Sequence, residues 1–237
     1  MVDNIYMSKR LKLLASFIDK DSFFADIGTD HAYLPCFICL QYPNARAIAG
    51  EVNKGPLERA QETVMQYDLN SRISVRQGNG LDVIHSDDAV DTVIISGMGG
   101  PLITSILCAG NTTLQHIPKI IAQPNNHAIH VRRFFMKNQY EIVDEQITEE
   151  NGHTYEIIIG KKNPFLDENY LGEETEKMLL FGPKLIKEKS PIFIKKWQAE
   201  KDKLTQVMQQ MEQATIRDEK KIITFQQQLH WMKEVLS

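Results

Sequence analysis

A chain of 237 residues with 42% apolar and 24% charged side chains can build one large α/β domain and a smaller appendage. No apolar run reaches the roughly 18 residues of a membrane span. The opening Met1-Val2-Asp3-Asn4 has no basic segment leading into an apolar core, so a cytoplasmic protein is expected. The net charge of −4 excludes a generally cationic nucleic-acid binder but leaves room for a local basic patch, and three cysteines, an odd number, argue against a disulfide framework.

Residues 8–18 place Leu11, Leu14 and Ile18 on one face and basic residues on the other, which predicts a short amphipathic helix. Phe23-Phe24-Ala25-Asp26-Ile27-Gly28-Thr29-Asp30-His31-Ala32 then reads as a buried strand, a tight glycine turn and the start of a helix. Cys36 and Cys39 lie three apart on that helix and are expected as core, not as a redox pair or half of a zinc site. Strand-like runs ending near Asp26, Glu51, Gln77, Ser96 and Ala122 alternate with helical runs at 31–41, 55–67, 100–109 and 127–138. Such alternation predicts a parallel sheet covered by helices on both faces. Tyr140–Ile147 and Thr154–Gly160 flank Asn151-Gly152 with no helix between them, which predicts an antiparallel hairpin at the end of the sheet. That topology is the class I methyltransferase variant of the Rossmann-like α/β fold.

Beyond Pro164 the chain is rich in Lys, Glu and Gln. Phe193, Trp197, Leu204, Val207, Met211 and Ala214 form one apolar seam, and Ile222, Phe225, Leu229, Met232 and Leu236 a second. The break at Thr215-Ile216-Arg217-Asp218 predicts an antiparallel helical hairpin. The expected domains are therefore 1–162 and 163–237.

The first turn holds one glycine, Gly28, where a dinucleotide site needs several, and Asp30 would repel a pyrophosphate. No phosphate-cradling Gly-x-x-x-x-Gly-Lys-Ser/Thr run is present. S-adenosylmethionine fits better, since it has no phosphate, a cationic sulfonium and an ammonium group that Asp26 and Asp30 can meet. Glu51 follows the turn by about twenty-five residues, near the roughly twenty that separate such a turn from its ribose acid. Asn79, between Gly78 and Gly80, is placed to pair with an adenine edge, with the glycines admitting the ring. Ser96-Gly97-Met98-Gly99-Gly100 closes the fourth strand with three glycines around one methionine, which suggests close approach of a substrate.

Asp26-Ile27-Gly28-Thr29-Asp30-His31-Ala32-Tyr33-Leu34-Pro35, Gly50-Glu51-Val52-Asn53-Lys54-Gly55-Pro56, Ser96-Gly97-Met98-Gly99-Gly100 and Gln123-Pro124-Asn125 together resemble the bacterial tRNA (adenine-N1)-methyltransferases called TrmK. The resemblance covers the catalytic domain and the helical hairpin. It implies a class I fold, S-adenosylmethionine as methyl donor and adenosine 22 of tRNA as target. It places cofactor contacts on Asp26, Gly28, Thr29, His31, Tyr33, Glu51, Val52, Asn79, Gly80, Ser96 and Gly97.

Adenine N1 carries a free lone pair, so catalysis needs positioning more than a base, and Ser96, Gly97 and Met98 are the candidate catalytic residues. Tyr33, Phe134 and Phe135 are candidate stacking residues, with burial in the core as the competing role for the phenylalanines. Lys9, Arg10, Lys54, Asn125, Arg132 and Arg133 are the candidate RNA contacts, and Lys184, Lys187, Lys189, Lys195 and Lys196 make the hairpin base a candidate tRNA clamp. His127 and His130 share a helix but lack a third ligand, and methyl transfer needs no metal. The chain is expected to act on tRNA as a monomer. Two alternatives stay open on the residues alone: a methyltransferase for a small molecule or protein, and a non-catalytic binding module.

Overall fold

The computed structural model describes residues 5–165, 172–213 and 218–237. The chain divides into two compact units, Met1–Glu168 and Asn169–Ser237. The expected boundary at 162 coincides with the end of the last strand; the division falls at Glu168.

The first unit carries a seven-stranded sheet in the order β3-β2-β1-β4-β5-β7-β6. Strands β1 (Phe23–Ile27), β2 (Arg46–Glu51), β3 (Ile73–Gln77), β4 (Thr92–Met98) and β5 (Lys119–Pro124) are parallel. Their central stretches are apolar because both faces are covered. In β4, Ile94 packs with Phe24, Cys36 and Cys39 on one face, while Val93 and Ile95 pack with Ile103, Leu107 and Phe135 on the other. Helices α1 (Lys9–Ala15), α2 (Tyr33–Gln41), α3 (Lys54–Gln66), α4 (Gly100–Ala109), α5 (Asn111–Leu114) and α6 (Ala128–Lys137) complete the unit.

Cys36 and Cys39 are fully buried, and burial pushes their thiols up to about 12 and about 11, so both stay protonated core groups, as expected. The terminal hairpin is present and longer than expected: β6 (Tyr140–Glu150) and β7 (His153–Lys162) pair antiparallel. Asn151 and Gly152 have φ of 51° and 78°, left-handed at both positions, as a two-residue turn between twisted strands requires. The β3–β4 crossing holds only a 3₁₀ turn, Gly80–Val83, and the short α5 also has no counterpart among the expected helices.

The second unit holds α7 (Glu173–Phe181), α8 (Leu185–Glu188), α9 (Pro191–Gln213) and α10 (Glu219–Leu236). Helices α9 and α10 pack on each other, as the seams imply. Phe193, Trp197, Ile222 and Met232 are buried, and Met208, Trp231 and Val235 join them; Leu204, Val207, Met211, Phe225, Leu229 and Leu236 are half-buried. Ala214 and residues 215–217 lie outside the described residues. The hairpin also carries α7. Trp231 Nε1 donates to Glu173 Oε1 at 3.2 Å, Lys177 Nζ lies 2.8 Å from Glu234 Oε2, and the Phe181 ring centroid is 4.4 Å from that of Trp197. This helix was hidden by its acidic first turn, Glu173, Glu174 and Glu176, which reads as solvated surface in sequence.

Candidate active site at the carboxyl edge of the sheet

Chain order reverses direction at β1, whose neighbours are β2 and β4. Ligands of open α/β sheets bind in the crevice outside such strand ends. The turn leaving β1 is tight: Gly28 N–H and Thr29 N–H both donate to the carbonyl of Gly50, at 2.8 and 3.1 Å. Gly28 has φ of 74°, a left-handed conformation that favours glycine, and Met98 Cε lies over its bare face, 2.2 Å from where a Cβ would stand. Asp30 and Ala32 are left-handed too, with φ of 52° and 55°. Non-glycine residues rarely hold that conformation, and a run of them marks a shape imposed by the surroundings. Helix α2 then starts with no side-chain cap and no acidic residue in its first turn, so its amide end faces the crevice as partial positive charge.

Asp26 is buried, and Thr29 Oγ1 donates to its Oδ2 at 2.7 Å. Burial pushes its carboxyl up to about 6, against the opposing pull of the Thr29 hydrogen bond and the charge of Arg10. His31 stacks on half-exposed Tyr33, with ring centroids 5.2 Å apart, and its Nε2 lies 3.6 Å from Asp30 Oδ1.

Glu51 ends β2, and its Oε1 accepts from Val52 N–H and Asn53 N–H, both at 2.9 Å, and from Asn53 Nδ2 at 3.3 Å. No described residue donates to Oε2. A carboxylate with one oxygen locked by backbone and the other open suits a diol. Val52 is exposed beside it, and Asn79 is exposed after β3. The glycines around Asn79 serve another purpose than the one expected. A Cβ on Gly78 would meet Val83 Cγ1 at 2.8 Å, and one on Gly80 would meet Ile106 Cγ2 at 2.9 Å. Their open sides are filled by the protein's own core, not kept for a ring.

The β4–β5 edge is built differently. The register slips between Ser96 and Met98, and Gly97 bulges out with φ of 76°. Side chains of β5 and its following loop hold the bulge. Gly97 N–H donates to Gln123 Oε1 at 3.1 Å, Gln123 Nε2 donates to Asn125 Oδ1 at 3.0 Å, and Asn125 Nδ2 donates to Gly97 O at 2.7 Å. Asn125 N–H also donates to Met98 O at 2.7 Å. Gln123 Oε1 accepts as well from Arg10 Nη1 of α1, whose guanidinium carbon lies 5.3 Å from the Tyr155 ring centroid. Of the three glycines here, Gly97 is the least crowded, with Arg10 Nη1 3.9 Å from where a Cβ would stand; Gly100 lacks a Cβ because the backbone of Asn126 and His127 runs against it.

Of the candidate RNA contacts, Lys9 is exposed at the head of α1 and Lys54 is exposed with Glu58 3.7 Å away. Asn125 and Arg10 belong to the network just described. Arg132 is not a surface residue. It is fully buried, with Nε 2.6 Å from Glu145 Oε1 and Nη2 2.5 Å from Glu156 Oε2, so it cannot meet a phosphate. Arg133 is partly exposed on the same helix. Phe134 and Phe135 are core residues and do not stack on a base; Phe135 packs against the bare face of Gly160. Gln123, buried on β5, went unnoticed as a site residue in the sequence. Its signal was a glutamine inside a strand whose other members are apolar or end it.

The family model for tRNA (adenine(22)-N(1))-methyltransferase, TrmK, matches residues 24–234. The chain belongs to the TrmK family. It is 40% identical over 237 residues to the tRNA (adenine(22)-N(1))-methyltransferase of Bacillus subtilis (strain 168), covering 99% of both chains. The crystal structure of the B. subtilis M1A22 tRNA methyltransferase TrmK superposes with a TM-score of 0.90 at 37% identity, over 99% of this chain and 100% of that one. Streptococcus pneumoniae Sp1610 in complex with S-adenosyl-L-methionine gives 0.85 at 35% identity, over 98% and 100%. The likeness spans both units, so the helical unit is a family feature and not an appendage of this chain alone.

Proposed function

We propose that this chain transfers the methyl group of S-adenosylmethionine to N1 of adenosine 22 in tRNA, with the donor held at the β1–β2 edge and the base presented to the β4–β5 edge. The observation that carries the site assignment is the half-used Glu51 carboxylate beside the left-handed Gly28 turn, next to buried Asp26. In this reading Glu51 Oε2 accepts from the ribose hydroxyls and Asp26 faces the ammonium group. Thr29, His31, Tyr33 and Val52 wall the cofactor, and the adenine lies against Asn79.

When bound, the cofactor supplies an electrophilic methyl group on a sulfonium. The adenine N1 lone pair forms the new N–C bond as the C–S bond breaks, and the charge passes from sulfur to the base. No proton need be removed first. The work left to the protein is alignment and acceptors near the growing charge, and Ser96, Gly97 and Met98 stand at that place. The Ser96 hydroxyl orients the base. N1 lies on the Watson–Crick edge, so a paired adenosine must be unpaired before reaction. Neither a metal nor a second copy is required, and the chain acts as a cytoplasmic monomer. Lys9, Arg133 and the basic base of the helical unit meet tRNA phosphates.

Nucleoside analysis of tRNA before and after incubation with the protein and cofactor tests the reading. It should show 1-methyladenosine at position 22 and nowhere else; its absence there would overturn it. Ser96→Ala should slow single-turnover methylation, and an unchanged rate removes the hydroxyl from the mechanism.

A further inference from the structure

The structure assigns Gln123, Asn125 and Arg10 as positioning residues that fix the acceptor loop. They act through Gly97 and not on RNA phosphates; this rests on the reading above. Both polar groups of the Gly97 backbone close one ring through two side-chain amides. The N–H goes to Gln123, Gln123 to Asn125, and Asn125 back to the Gly97 carbonyl. The direction of every bond in the ring is forced. Arg10 can only donate, so the oxygen of Gln123 must face it, and the amide nitrogen must then face Asn125. The Gly97 N–H needs an acceptor and its carbonyl needs a donor, and the same orientations supply both. Nothing in the ring can flip without breaking at least two bonds.

The ring matters because of what Gly97 joins. It is the bulged residue between Ser96 and Met98, skipped by the β4–β5 ladder, which pairs Ser96 with Gln123 and resumes at Met98 and Pro124. Met98 reaches the bare face of Gly28 in the cofactor turn. The rotation of Gly97 therefore sets where Ser96 points, while Met98 rests on Gly28. Gln123 is wholly buried, so it gives nothing to RNA directly. Arg10 is half-buried, engaged by Gln123 and set over the Tyr155 ring, which suits a latch from α1 better than a free phosphate contact.

A misplacement of about 1 Å at reacting atoms can cost on the order of a hundredfold in rate. Gln123→Met keeps about the same volume and removes all three of its hydrogen bonds. At saturating tRNA and cofactor its single-turnover rate should fall about tenfold to a hundredfold. Its cofactor affinity by calorimetry and the salt dependence of its tRNA Michaelis constant should stay as in the parent protein. Arg10→Met should show the same split with a smaller fall, and Arg10→Lys, which keeps one charged donor, should recover most of the rate. Should Gln123→Met fail to fold, exposed Asn125→Ala breaks the ring from the surface. A full single-turnover rate in Gln123→Met or Asn125→Ala overturns the assignment. So does an Arg10→Met that changes only the Michaelis constant and its salt slope, the signature of a phosphate contact. Amide exchange at Gly97 reads the clamp without any substrate: protection should be lost in Gln123→Met, and retained protection overturns the clamp even if the parent protein methylates nothing in tRNA.

Discussion

The two halves of the carboxyl edge solve the same problem, holding a ligand over strand ends, by different means. On the β1–β2 side the shape is made by backbone. Gly28, Asp30 and Ala32 are left-handed, Gly50 O takes two amides, and the amides of Val52 and Asn53 lock one oxygen of Glu51. On the β4–β5 side the backbone slips at Gly97 and side chains from β5, the loop after it and α1 hold it. A backbone-built site is rigid wherever its turn survives. A site built from side chains can be adjusted one residue at a time, and is correspondingly easier to disable.

The largest expected effect lies behind the second half. Helix α6 follows the Asn125 loop and is pinned to β6 and β7 by buried Arg132. Arg132→Ala removes the guanidinium and leaves Glu145 and Glu156 in a dry interior, which should cost about 3–5 kcal/mol of stability by denaturant unfolding. Stability close to the parent, with a raised tRNA Michaelis constant, would return Arg132 to the RNA surface and break the distinction between anchored and open cations.

On the first half the largest effect should come from Glu51→Gln. The amide keeps an oxygen for Val52 and Asn53 but brings a donor and no charge to the ribose. Loss of charge-assisted hydrogen bonds worth about 1.5–3 kcal/mol should weaken cofactor binding about tenfold to a hundredfold in calorimetry. The rate at saturating cofactor should barely move, the reverse of the pattern expected at Gln123, so the two variants together test whether the halves are separable.

Asp26 gives the first half a pH dependence that the second lacks. Burial pushes its carboxyl up to about 6, from 3.8. Proton binding therefore favours the fold: that contribution is complete below 3.8 and is lost as the pH rises through about 6. The cofactor ammonium prefers the carboxylate, so affinity should run the other way, rising with pH up to about 6 and levelling above it. Between pH 7 and pH 5 the dissociation constant should climb about tenfold, with proton release on binding near pH 6. Asp26→Asn should bind weakly and show a flat profile over that range; a flat profile in the parent protein would mean that Asp26 stays ionised before the cofactor arrives.

The same contrast explains what could be read from the residues. Gly28, Glu51 and Asn151-Gly152 are local signals, each interpretable within a few positions, and the sheet order follows from alternation with a closing hairpin. Arg132 was misplaced because Arg132-Arg133 looks like a surface pair, while the two glutamates that bury it sit on separate strands. Gly78 and Gly80 were misread because the groups that need their space, Val83 and Ile106, belong to a 3₁₀ turn and a helix further along. The Gln123 ring joins three distant segments through side-chain amides, and no spacing rule connects position 10 to position 123. Helix α7 declares itself through Trp231 and Glu234, about sixty residues away on α10, and through Trp197 on α9.

Lys54 is where the smallest effect is expected, and it sharpens the meaning of a basic residue near the site. It is exposed, and its one ion pair, to Glu58 one helical turn on, spans 3.7 Å. Such pairs contribute little to stability, so Lys54→Ala should leave the unfolding midpoint unchanged. If the chain lays tRNA across the donor side, the tRNA Michaelis constant should rise about twofold to threefold and its salt slope should fall by about one, with the rate at saturation intact. Arg10→Met should show the reverse kinetic split, a lower rate at saturation with the Michaelis constant and its salt slope unchanged. Two cations near the same edge would then be told apart by kinetics: the free one acts on encounter with RNA, and the one held by Gln123 acts on alignment of the reacting atoms. An Arg10 variant that behaved like Lys54→Ala would place both residues on the RNA surface and overturn the assignment of Arg10, Gln123 and Asn125 as one positioning unit.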